Sequence, residues 1–114
     1  MDSREFVDVL RLVVRDGAVS EVLSTLQRPP GRRPPQSLRE SSAWYNSLDD
    51  QQKQILSVVL QDAVDRAVFG VLCVLDGVRA IENDSEKGRL ELRYVKNGSV
   101  LLNPSQGEML HEMW

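Results

Sequence analysis

Histidine and cysteine each occur once in the 114 residues, at His111 and Cys73. Nucleophilic triads and most acid–base sites move protons through histidine, so a single one close to the end of the sequence argues against that chemistry. A lone cysteine forms no internal disulfide; Cys73 sits in an apolar helical stretch, which assigns it a packing role in a reducing compartment. Glu108 and His111 have the i, i+3 spacing of a shared metal site, but a second histidine and a second cysteine are missing, so the expected metal is none and the pair reads as solvated. Neither the phosphate-loop pattern G-x-x-x-x-G-K-[ST] nor G-x-G-x-x-G is present, and the expected cofactors are none. The longest apolar run, Ala67 to Leu75, falls short of the ~20 residues that cross a bilayer. The start Met1-Asp2-Ser3-Arg4-Glu5 lacks the basic, apolar pattern of a secretory signal, and the expected localisation is cytoplasmic, with no membrane partner. Basic charge is also scarce: the net charge of −3 disfavours a nucleic-acid partner and suits a basic protein partner better.

What is present is an ordinary globular composition, 41% hydrophobic and 27% charged, in a length that holds one domain. Residues 1–27 read as an N-terminal helical pair. Ser3 caps a helix over Arg4–Asp16 with Phe6, Val9, Leu10 and Val13 inward, Gly17 stops it, and Ala18–Gln27 forms a second helix on Val19, Val22, Leu23 and Leu26. Residues 28–36 form a Pro/Arg-rich linker: the prolines from Pro29 to Pro35 exclude helix, and their spacing offers no P-x-x-P ligand.

Residues 37–83 carry the central helices. A short helical turn is expected over Ser37–Tyr45, and Ser47 opens a long helix through most of Leu48–Glu82, with a bend at Gly70 or a break at Gly77. Its apolar stripe runs through Leu56, Val59, Ala63, Ala67, Gly70, Val74, Val78 and Ile81. Around Phe69, Leu72 and Cys73 the helix is apolar on every side, which requires cover from the rest of the domain or from another chain. In 88–103, Arg89–Val95 alternates polar and apolar residues, Asn97-Gly98 fits a type I′ turn, and Ser99–Leu102 returns, predicting a β-hairpin with Leu90, Leu92 and Tyr94 against the helices. Residues 104–114 give a last helical turn anchored by Met109, Met113 and Trp114. The expected fold is α+β, mainly helical, with a long central helix and a C-terminal β-hairpin.

The candidate residues all suit partner binding. Trp44-Tyr45 is the one adjacent aromatic pair, with Asp49 and Asp50 close behind, a combination that matches binding hot spots and a basic target; the competing reading has Trp44 stapling the long helix into the core. Asp76, Arg79 and Glu82 lie three apart, as a salt-bridged set or a partner-binding strip. Asp62 with Asp65, or Asp76 with Glu82, supplies the two carboxylates of a glycosidase, although acids on a helix face are usually solvated or salt-bridged. No catalytic set is assigned.

The stretch Ala67-Val68-Phe69-Gly70-Val71-Leu72-Cys73-Val74-Leu75-Asp76-Gly77-Val78-Arg79-Ala80-Ile81-Glu82, with Gly88-Arg89-Leu90-Glu91-Leu92 and Leu101-Leu102-Asn103-Pro104, resembles a family of small bacterial proteins of unknown function. The likeness extends over about Trp44 to Trp114 and implies a bacterial α+β module without transferable site residues. Three functions follow as expectations. The first is a protein-binding module that blocks a basic partner, as toxin-immunity and inhibitor proteins do. The second is a homodimer or larger homo-oligomer closed by the surface around Phe69, Leu72 and Cys73. The third is a small-ligand protein or enzyme using Asp62, Asp76 and Glu82 around a pocket beneath the hairpin.

Overall fold

The computed structural model describes residues 1–114 and orders them as α1 (Ser3–Val9), a π-helical stretch (Leu10–Asp16), α2 (Gly17–Gln27), α3 (Gln36–Ser47), α4 (Asp50–Leu75), β1 (Arg93–Val95), β2 (Ser99–Leu101) and α5 (Leu110–Met113). The fold is α+β, dominated by helices, with one long helix and an antiparallel two-stranded hairpin near the C-terminus.

The N-terminal pair of helices is one continuous rod. Gly17 does not stop it, because its backbone stays right-handed at φ −61° and ψ −47° and the winding loosens through Leu10–Asp16 instead. Glycine ends a helix only where the chain uses its left-handed freedom, and here it does not. The start also shifts. Asp2, not Ser3, is the N-cap, closing a capping box with Glu5, while the Ser3 hydroxyl donates to the Leu102 carbonyl 99 residues away at 2.7 Å.

After the proline loop, α3 is a 12-residue helix, longer than the expected turn. Ser42 Oγ donates to the Leu26 carbonyl at 2.6 Å and Asn46 Nδ2 to the Gln27 carbonyl at 3.2 Å, so α3 satisfies the open carbonyls at the end of α2. Asp49 caps α4 in a box with Gln52. Ser47, the expected cap, turns its hydroxyl back to the Trp44 carbonyl at 2.6 Å.

The long helix ends at Leu75, not at Glu82. Gly77 takes φ +75°; the Gly77 amide donates to the Val74 carbonyl at 3.1 Å and the Val78 amide to the Cys73 carbonyl at 3.0 Å. This is a Schellman termination, which needs a left-handed residue that only glycine adopts without strain. Residues 78–82 therefore leave the helix that the periodicity extends through them.

The core is small and sits at one end. Val7, Leu72, Leu110 and Met113 form it, with Phe6, Leu10, Val68, Leu75, Leu92 and Trp114 packed around them. It brings α1, the last turns of α4, and α5 together. The inward row of α4 is Leu56, Leu60, Val64, Val68 and Leu72, one residue out of step with most of the stripe traced from the sequence. Val59, Ala63, Ala67 and Val71 are consequently exposed. Leu72 and Cys73 are buried by the chain itself, while Phe69 and Val71 of the same segment remain 38% and 58% exposed.

The hairpin is shorter than expected, with pairs Arg93↔Leu101, Tyr94↔Val100 and Val95↔Ser99. Asn97 and Gly98 both take positive φ, 50° and 141°, yet the register is centred on Asn97 and the Lys96 amide donates to the Gly98 carbonyl, so three residues make the connection instead of two. Leu92 packs on the core, whereas Leu90 is exposed.

The segments before and after the strands are held by Asn103, which is buried. Its Nδ2 donates to the carbonyls of Leu75 at 2.6 Å and Leu90 at 2.9 Å, and its Oδ1 accepts from the Leu92 amide at 2.8 Å. One side chain thus joins the end of α4 to both arms of the hairpin, with its amide group fully paired.

The final element docks through Leu110 and Met113, both buried. Arg11 donates to the backbone oxygens of Met113 and Trp114, and the guanidinium groups of Arg11 and Arg15 lie 5.5 and 5.8 Å from the Trp114 ring centroid. The hydrogen bond that Arg15 Nε donates to Asp16, with the nearby charges of Asp16 and Asp65, holds the Arg15 guanidinium above its ordinary range against the opposing effect of desolvation.

Candidate functional site

The residues singled out in the sequence fall in three places. The first is the corner between α3 and α4. Trp44 is 54% exposed, which corrects the reading that it staples the long helix into the core; its neighbour Tyr45 is the buried member of the pair, with Lys53 Nζ of α4 5.1 Å from its ring centroid. Helical spacing separates adjacent residues by about 100°, so two neighbours cannot both face inward, and Tyr45 takes that direction. Asp49 is committed to capping α4, accepting from the Gln52 amide at 2.8 Å. Asp50 lies in the first turn, exposed. The corner thus offers an indole, a free carboxylate and a bound one at the positive end of a 26-residue helix.

The second place is mid-α4. Asp62 accepts from Arg66 Nε at 2.9 Å and Asp65 pairs with Arg15 at 3.4 Å. The two carboxylates therefore point to different cations and do not form an acid pair.

The third is a groove of about 520 Å³ between the end of α4, the segment after Gly77 and the Asn103–Met109 stretch. Asp76, Arg79 and Glu82 all line it, together with Val74, Val78, Lys87, Arg89 and Leu90. No residue of β1 or β2 lines this groove, which lies against the segments flanking the strands, and Asp62 is not part of it. Nor are Asp76, Arg79 and Glu82 a helical salt-bridged set, because α4 has already ended. Asp76 Oδ2 accepts at 2.8 Å from both the amide and Nδ1 of His111. Glu82 Oε2 accepts from the Gly88 amide at 2.9 Å. Arg79 folds back over α4, its Nη1 lying 2.6 Å from where a Cβ on Gly70 would be.

His111 is the residue that sequence reasoning misplaced. It is not a solvated partner of Glu108, which instead bonds Arg4 at 2.7 Å. It lies against Asp76, whose side chain is 2% exposed, with the Phe69 ring edge-on at 5.9 Å between centroids. Spacing along the last turn gives no signal for this contact, which spans 35 residues. The geometry is that of a latch holding α5 to α4. No three histidine, cysteine, aspartate or glutamate side chains converge as a metal-holding group. No helix is long and apolar enough to cross a membrane.

Comparison with protein-family models, with curated proteins and with solved structures finds no match.

Proposed function

We propose that the protein is a non-catalytic, protein-binding module that engages a basic polypeptide through the corner between α3 and α4, in the manner of an inhibitor or immunity protein. The observation that carries this reading is Trp44, 54% exposed beside the acidic start of α4. Tryptophan is enriched among residues that dominate binding energy, and the acids Asp49 and Asp50 that follow it at the start of α4 favour a positively charged target and speed its encounter. The free, buried Cys73 supports a reducing cytoplasmic setting for that partner. The bacterial origin suggested by the sequence resemblance belongs to the same proposal.

The alternative of an enzyme built on helix carboxylates has less support, since Asp76 and Glu82 are both engaged in holding the backbone or His111. Affinity capture with the whole protein, followed by titration of the captured polypeptide, tests the reading. Trp44→Ala is expected to weaken binding at least about tenfold, the equivalent of ~1.4 kcal/mol, and Asp50→Lys to slow association. A partner held equally well by both variants, or no captured partner, overturns it.

A further inference from the structure

The groove at the end of α4 carries a chemistry that the Trp44 corner does not use. Its volume of about 520 Å³ falls within the roughly 300–1,000 Å³ of small-molecule sites. Val74, Val78, Ile81, Leu90 and Met109 give it an apolar lining, of which Val78, Ile81 and Leu90 are 53%, 66% and 43% exposed. Its width is fixed by Asn103, whose buried side chain donates to the carbonyl of Leu75 at the end of α4 and to that of Leu90 in the segment before β1. Walls already held in place lose little freedom when the space between them is filled.

The charges along the groove are unevenly committed. Arg79, Lys87 and Arg89 share it with two carboxylates, Asp76 and Glu82. Asp76 is only 2% exposed and bonded to the amide and ring of His111, and Glu82 accepts from the Gly88 amide. Arg89 Nη2 donates to the Asn103 carbonyl at 2.7 Å. Arg79 and Lys87 belong to none of the ion pairs of the chain, although its acids outnumber its bases 17 to 14.

Arg79 is also given a seat. Its amide donates to the Cys73 carbonyl at 3.2 Å, and its guanidinium rests over Gly70, where a Cβ would lie 2.6 Å from Nη1. Glycine inside a helix is less stable than alanine. Here the missing methyl makes room for a guanidinium that no carboxylate holds.

We propose that this groove binds a small amphiphilic oxyanion, its carboxylate or phosphate head on Arg79 beside Lys87 and Arg89, its apolar body on Val78, Ile81 and Leu90. The unpaired cations select the sign of the ligand. The planar fork of the guanidinium selects a head with two oxygens, and the lining selects an apolar body. The site is separate from the Trp44 corner and does not depend on the protein-binding reading.

Decanoate and decyl phosphate, each below its micellar concentration, are titrated into isotope-labelled protein and followed by amide chemical shifts. Decyltrimethylammonium is the cationic counterpart, and acetate and inorganic phosphate are heads without a body. Saturable shifts centred on residues 77–90 and 103–109 are expected with the decyl anions, the tighter of the two identifying the head. The decyl cation and the bare heads are expected to bind at least about tenfold more weakly, as is the tighter anion to Arg79→Gln, which loses a charge-assisted hydrogen bond. Gly70→Ala displaces the same guanidinium while favouring the helix, so it should weaken binding without lowering the melting temperature, and it serves should Arg79→Gln fail to fold. No saturable shift in the groove with either decyl anion, or equal binding of the decyl cation, overturns the site. Bare heads that bind as tightly as the decyl anions overturn the apolar body, and unchanged affinity in a folded Arg79→Gln overturns Arg79 as the partner of the head.

Discussion

Asp76 and His111 join the end of the long helix to the last element of the chain: one carboxylate oxygen accepts at 2.8 Å from both the amide and the ring nitrogen Nδ1 of His111. The aspartate is almost fully enclosed, at 2% exposure, so its hydrogen bonds replace lost hydration. Asp76→Ala leaves the His111 amide unpaired and is expected to lower stability by ~1–3 kcal/mol, read by urea denaturation, with α5 losing amide-exchange protection before the rest of the fold. Equal protection of α5 in the variant would show that Leu110 and Met113 alone hold it.

Asn103 is expected to tolerate neither removal nor change of charge. In Asn103→Asp an oxygen replaces Nδ2 opposite the carbonyls of Leu75 and Leu90, now 2.6 and 2.9 Å away, so two attractive contacts become repulsive. At neutral pH it should destabilise more than Asn103→Ala, by ~3 kcal/mol or more. The comparison of denaturation midpoints checks the order of the two variants.

The two helix-capping candidates at the start of α4 separate cleanly. Asp49→Ala removes the acceptor of the Gln52 amide and should cost ~0.5–2 kcal/mol. Ser47→Ala should change stability by less than ~0.5 kcal/mol, since that exposed hydroxyl bonds only the Trp44 carbonyl within its own helix. The reverse order in thermal melts would return the cap to Ser47.

Two glycines are expected to respond with opposite signs. Gly17 is right-handed with open space around a built Cβ, so Gly17→Ala should stabilise by ~0.4–1 kcal/mol through the unfolded chain. Gly77 holds φ +75° in the Schellman turn, and Gly77→Ala should destabilise by ~1–2 kcal/mol although the space is equally open. Matched thermal melts of the two variants read the difference.

These contrasts show what the sequence carries. Helix existence was legible from periodicity, and the hairpin from Asn97-Gly98 between alternating runs. The cap of α4 is ambiguous in the sequence because Ser47 and Asp49 both satisfy the local pattern, and only the position of the helix axis decides between them. The end of α4 is hidden for a related reason: Val78 and Ile81 continue the period, while Gly77 interrupts the backbone. The inward row of α4, Leu56, Leu60, Val64, Val68 and Leu72, lies next to an almost equally apolar row, and periodicity does not say which of two neighbouring rows meets the core. Trp44 and Tyr45 had to be separated by tertiary structure for the same reason. The contacts of Asp76 with His111, and of Asn103 with α4, join residues far apart in sequence and leave no local trace.

The loosened winding of Leu10–Asp16 has a mechanical meaning for the rod that contains it. Each wider turn moves the following residues out of phase with those before, so the two halves of one continuous rod are aimed independently. The first half turns Val7 toward Leu72 and Leu110; the second offers its final carbonyls to Ser42 and Asn46. Gain or loss of one residue inside that stretch would re-aim one half against the other, so this short segment sets the angular relation between the core end of the molecule and the Trp44 corner.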